Sequence, residues 1–167
     1  MKKQDISAHL LRLIPDASIG LGDEIFLSIS RLTPIVNVDL LIQRSFNGKK
    51  YTLLTWRSDN FYLGWHLPGG ILRFKERIST RIGKVAESEL ESEVTKTQGP
   101  IAINEIFNSE RDVRGHFISL LYSVDLISYP GFREGIYEES PVAGAVKWFQ
   151  GPPANLLKQH DIYVRYF

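Results

Sequence analysis

The sequence predicts a single α/β domain in which helices cover a sheet. Three observations carry that prediction. Two strand-like runs, 36–44 and 51–57, flank Asn47-Gly48, a strong hairpin turn pair. Ile78, Ile82, Val85, Ala86 and Leu90 recur at helical spacing and define one buried face. Two further apolar runs, 101–108 and 116–127, read as strands joined by the polar loop Ser109–Gly115.

The remaining elements follow in chain order. Residues 6–14 read as a short amphipathic helix that Pro15 stops, within an N-terminal extension at 1–20. The domain proper is expected at 21–167, and 23–31 reads as a second short helix. Leu72 and Arg73 extend a short strand after Pro68-Gly69-Gly70, and Val146–Phe149 is a last strand. Pro152-Pro153 opens a C-terminal helix from about 154.

Composition narrows the function classes. A chain of 167 residues can bury a sizeable core. Its formal charge of +1 gives no nucleic-acid footprint. It has no cysteine, hence no disulfide frame and no thiol chemistry. Asp5, His9, Arg12 and Asp16 interrupt the first residues, so no signal peptide is read there. No run is long enough for a membrane span. A cytoplasmic location is the expectation, with no membrane and no nucleic-acid partner.

The chemistry concentrates at Pro68-Gly69-Gly70 and the acidic helix after it. A Gly-Gly turn lets a backbone carbonyl approach a cation, because no Cβ intervenes. Glu76 follows Gly70 by six residues, and Glu89 comes thirteen later. The segment Gly70 to Ser92 resembles a Nudix box, G-x5-E-x7-R-E-U-x-E-E-x-G-U, with U aliphatic. Gly70 and Glu76 match, and Lys84 replaces the arginine. Val85 and Ser88 replace two glutamates, Glu89 keeps the third, and Glu91 stands where glycine is expected. Positions 85, 88 and 89 share one helix face, so three carboxylates there would hold several Mg²⁺ ions. One carboxylate suits a single Mg²⁺ held mainly by substrate phosphates.

This reduced box is similar to that of the GDP-mannose mannosyl hydrolases, a Nudix branch that cleaves the sugar C–O bond. Leu21, Glu24, Phe26, Arg31, Thr33-Pro34, Val36 and Asp39 also resemble that branch, as do His160 and Tyr166-Phe167 near the end. The resemblance implies a Nudix-type α/β/α sandwich with a mixed sheet and a homodimer. It further implies one Mg²⁺ held by Glu89 and the Gly69 carbonyl, and a nucleotide-sugar substrate. Glu76 and Lys84 would pair and brace the box with Gly70. Asp39 would serve the substrate site, and Arg57 would neutralise the diphosphate leaving group.

Two departures bear on activity. The branch has arginine after its second glycine; Ile71 stands there, and Arg73 is the substitute two residues on, on the same face of a strand. The branch carries Gln-His before its last strand, the histidine as general base; Val142 and Ala143 stand there. Glu138 and Glu139 lie just upstream, and Glu139 is the candidate catalytic base. His66 reads as a packing residue and His160 as a structural contact. Two alternatives stay open: a Nudix pyrophosphatase cleaving P–O–P, and a silent nucleotide-sugar-binding module.

Overall fold

The structure is a computed structural model and describes residues 3–130 and 141–167. Helices α1 (Lys3–Leu13) and α2 (Asp23–Ile29) precede strands β1 (Ile35–Leu41), β2 (Gln43–Phe46), β3 (Lys49–Ser58), β4 (Leu63–His66) and β5 (Gly69–Ile71). Helix α3 (Ile78–Leu90) follows, then β6 (Val94–Phe107), β7 (His116–Leu126), β8 (Val146–Phe149) and a C-terminal 3₁₀ helix (Lys158–Tyr166).

The strands form a mixed sheet and an antiparallel one. The mixed sheet has the order β5-β1-β7-β6. Its β1 and β7 run parallel, with Val38 beside Leu120, while β5 and β6 are antiparallel to their neighbours. In the second sheet β3 pairs with β2, β4 and β8.

Alternation along β1 assigns a core to each face, because successive side chains point to opposite sides. Val38, Leu40 and Ile42 pack with Ile82, Val85, Ala86 and Leu90 of α3. Each large apolar side chain buried there contributes about 1.5–3 kcal/mol. Leu41 packs oppositely, with Leu54, Trp56, Trp65, Leu67, Leu121 and Tyr163 of the 3₁₀ helix. The result is the expected α/β/α arrangement with a mixed sheet.

Several local expectations shift. The run 36–44 divides at Ile42, whose carbonyl accepts the Leu53 N–H at 2.9 Å, so the chain passes from one sheet to the other. The short strand after Pro68 is Gly69–Ile71, not 72–73, because both glycines pair with β1: Gly69 with Asp39 and Gly70 with Val38. A Cβ on Gly69 would run into Asp39 Oδ1, so the pairing requires glycine. β6 begins at Val94, earlier than expected, and its polar first half pairs with β7 across an irregularity. The C-terminal helix is 3₁₀ and starts at Lys158.

Candidate functional site

The end of α3 that enters the helix is tied by charge. Glu76 Oε2 accepts the Arg73 N–H at 3.1 Å and Arg81 Nε and Nη2 at 2.8 and 2.6 Å. Lys84 Nζ donates to Oε1 at 3.0 Å. The Glu76 side chain is only 5% exposed, against 49% for Lys84. Burial alone would raise its pKa; the Arg73 N–H, then Arg81 and Lys84, hold it down to about 2. Arg81 is the partner the sequence reading missed. It borders the apolar stripe, between Ile78 and Val85 on the helix surface, and is buried, with its Cδ 3.1 Å from where a Gly70 Cβ would sit.

The other end of the box carries one carboxylate. Glu89 Oε1 accepts the Gly69 N–H at 3.1 Å, and Thr55 Oγ1 donates to Oε2 at 2.8 Å. Burial pushes its pKa up to about 7, with Asp39 adding to the rise. Thr55 also lies 3.1 Å from His66 Nε2, while His66 Nδ1 donates to the Leu67 carbonyl at 2.7 Å. A carbonyl only accepts, so Nδ1 carries the proton and Nε2 of the neutral ring accepts. Burial, then His160, holds His66 near 4, so the ring is neutral at pH 7. Thr55 has a single proton and cannot give it to both neighbours. With Glu89 protonated the chain closes: Glu89 donates to Thr55, and Thr55 to His66. Val85 is in the core at 2% exposure, and the Ser88 hydroxyl donates to the Val85 carbonyl at 3.5 Å.

Beside Gly69 lies a cavity of about 240 Å³. Its polar wall comprises Asn37, Arg57, His66, Arg114, Gln159 and His160, with Tyr62, Ile71, Ile106 and Phe117 among the rest. His160 Nδ1 accepts the Leu67 N–H at 3.2 Å, and burial, then Arg57, lowers it to about 3. Arg57 pairs with Asp59 at 2.5 Å and lies 4.6 Å over the Tyr62 ring.

Asp39 and Arg73, both expected at the substrate site, do not line this cavity. Asp39 is 1% exposed and sits behind the wall. Its carboxylate accepts from Asn37 at 2.8 Å, from Tyr163 at 2.6 Å and from Ser119. Burial raises its pKa against those donors. It ties β1 to β7 and to the 3₁₀ helix. Arg73 lines a neighbouring apolar cleft, its guanidinium 3.7 Å from where a Gly20 Cβ would sit. β5 ends at Ile71, so Arg73 lies beyond the strand, outside the lining of the cavity beside Gly69. Val142 is exposed. Glu138 and Glu139 lie outside the described residues.

A divalent cation would meet a small donor set here. Among the described residues, no three His, Cys, Asp or Glu side chains gather as a metal site. Glu89 next to the Gly69 backbone gives one buried carboxylate whose charge a cation would relieve. Among the described residues, that donor set is compatible with a Mg²⁺ completed by water and phosphate oxygens.

Solved structures share this architecture. A MutT Nudix hydrolase from Burkholderia pseudomallei aligns over 80% of this chain and 97% of its own, with TM-score 0.58 and 18% identity. A possible asymmetric diadenosine tetraphosphate hydrolase from Jonesia denitrificans aligns over 79% and 91%, with TM-score 0.55 and 19% identity. The Nudix domain of Shewanella oneidensis NrtR, solved with ADP ribose, aligns over 71% and 73%, with TM-score 0.51 and 22% identity. No protein-family model matches the sequence, and no curated protein matches it significantly. The chain has the Nudix fold. Among the described residues, no helix is long and apolar enough to cross a membrane.

Proposed function

We propose that the chain hydrolyses a nucleoside diphosphate sugar at the glycosyl C–O bond, releasing sugar and nucleoside diphosphate. One observation supports this over P–O–P cleavage. The helix face that would carry three metal carboxylates carries Glu89 alone, with Val85 committed to the core. A departing diphosphate needs charge neutralisation more than a multi-ion clamp on phosphorus. When bound, Mg²⁺ would supply part of that charge, with Glu89 and the Gly69 backbone as its protein donors. Arg57 lines the cavity beside Gly69 and adds a fixed positive charge there. Ile71, Ile106 and Phe117 supply the apolar part of the same wall.

A second reading has its own observation. The described titratable groups that could take a proton in the cavity are His66 and His160, held near 4 and 3. Such imidazoles are neutral at pH 7 but weak bases. General-base help is worth about 10²–10⁴ in rate. A nucleotide-sugar-binding module on this fold is the reading if no base is supplied.

The test incubates the protein with a panel of nucleotide sugars and Mg²⁺ and identifies the products. Free sugar with nucleoside diphosphate supports the proposal. Sugar phosphate with nucleoside monophosphate would establish pyrophosphatase chemistry. Saturable binding with no product would establish the binding module.

A further inference from the structure

Three arginines, one from β3 and two from the β6–β7 loop, converge on one aromatic ring. The β3–β4 turn is capped by Asp59, whose Oδ1 accepts the N–H groups of Phe61 and Tyr62 at 2.8 and 2.9 Å. This fixes Tyr62. Around its ring stand the guanidinium carbons of Arg57 at 4.6 Å, Arg111 at 4.6 Å and Arg114 at 5.3 Å. The β6–β7 loop that carries two of them is tightly closed. Asn108 N–H donates to the Gly115 carbonyl at 2.7 Å, and a Cβ on Gly115 would meet backbone oxygens of Arg111 and Asn108 at 2.7 and 2.8 Å. Arg111 Nη2 donates to the Phe61 carbonyl at 2.8 Å, bolting loop to turn. Arg114 adopts φ 54°, and its N–H donates to Ser30 Oγ at 3.0 Å.

Arg114 reaches the cavity wall that Arg57 also lines. Among the described residues, the only ion pair made by these three arginines is Arg57 with Asp59. Arg111 Nη1 and Arg114 Nε are buried without an acceptor. Cation–π contact with Tyr62 disperses some charge but supplies no hydrogen-bond acceptor. The cluster has more cation than its surroundings satisfy, and its guanidinium forks match phosphate geometry.

We propose that Arg114, held against the rings of Tyr62, Phe61 and Phe26, forms with Arg57 an anion subsite for the diphosphate of the ligand. Arg114 thereby supplies the second guanidinium that Ile71 cannot and Arg73 does not. The proposal rests on the reading of this cavity as a diphosphate site, but it requires binding only, not turnover.

The test is titration of the full chain with inorganic pyrophosphate by calorimetry, with thermal melting of each variant as a control. Wild-type protein should bind. Arg114→Gln should weaken binding about ten- to hundredfold, the loss expected for charge-assisted hydrogen bonds. Arg114→Lys should recover part of the loss. Asp59→Asn can keep the Oδ1 cap while releasing Arg57, and should tighten binding about two- to fivefold. These opposite signs separate a subsite from general damage. Failure of wild-type protein to bind pyrophosphate would overturn the proposal. So would wild-type affinity in Arg114→Gln, or weakened binding in a folded Asp59→Asn. If Arg114→Gln does not fold, equal affinity in wild-type, Arg114→Lys and Asp59→Asn proteins overturns it. Pyrophosphate binding that needs Arg114, without turnover of any nucleotide sugar, keeps this subsite and removes the hydrolase reading.

Discussion

The two ends of α3 do different work. At its start, Glu76 is gripped by Arg81, Lys84 and a backbone N–H, and its charge is stabilised. At its finish, Glu89 is held by one hydroxyl and one N–H, and its charge is penalised. The first carboxylate has its cations built in. The second is left short of positive charge. The same side-chain type therefore serves as a brace at one end and as a receptive group at the other, and surroundings alone decide which.

The largest expected effect breaks the brace. Glu76→Ala leaves Arg81 buried without its anion and should cost about 3–5 kcal/mol of stability, measured by urea unfolding. A loss under about 1 kcal/mol would mean the two ends differ less than the geometry says. At the other end, Glu89→Gln should lower Mg²⁺-dependent turnover by about 10²-fold or more while the protein stays folded. Glu87→Gln and Glu93→Gln should change turnover little. Equal losses in all three would replace the single ligand with a diffuse acidic patch.

The pH dependence sharpens the contrast, because the two shifts have opposite signs. Glu76 falls from 4.5 to about 2 on folding, so its contribution is whole above 4.5 and is lost as pH drops towards 2. Glu89 rises from 4.5 to about 7, so its protonated form favours the folded state, and that benefit is lost as pH rises through 7. The stability of Glu89→Gln relative to wild type should therefore climb between pH 4.5 and about 8. Melting curves showing a pH-independent difference would contradict this.

Smaller effects belong to the exposed partners. Lys84→Ala should cost no more than about 1 kcal/mol, since Lys84 is half exposed and Arg81 remains. Glu91 ends α3 at φ 50°, the left-handed position where the box pattern has glycine. Glu91→Gly should gain about 0.5–1 kcal/mol in melting experiments, with no change in ligand binding.

The parts legible in the sequence were those with local signals. The apolar period of α3 and the Asn47-Gly48 hairpin come from neighbouring residues, and the structure has both. β4 was not legible, because Leu63–His66 is four residues long and contains glycine. Arg81 was not, because an arginine at the edge of an apolar stripe reads as solvated until Gly70 and Glu76 are folded over it. The Thr55–Glu89 contact spans 34 residues and leaves no local trace. The partners of Asp39 were not legible either. A lone carboxylate in an apolar strand reads as functional when its three donors come from positions 37, 119 and 163. The Ser109–Gly115 loop, with Arg111 and Arg114, reads from sequence as a place for phosphate or sugar contacts, but only the fold brings Tyr62 to it.

β1 carries cavity and core on alternate residues. Asn37 and Asp39 face the cavity side, while Val38 and Leu40 face α3. A one-residue slip against β7 would exchange the two sets. Asp39 would then enter the apolar layer under α3 without Ser119 or Tyr163, and Val38 would lose its place beneath the helix. Glycine would no longer lie opposite Asp39. A misregistered chain thus loses its binding wall and its core together. Folding errors here should yield aggregation or degradation, not a stable protein with a damaged pocket.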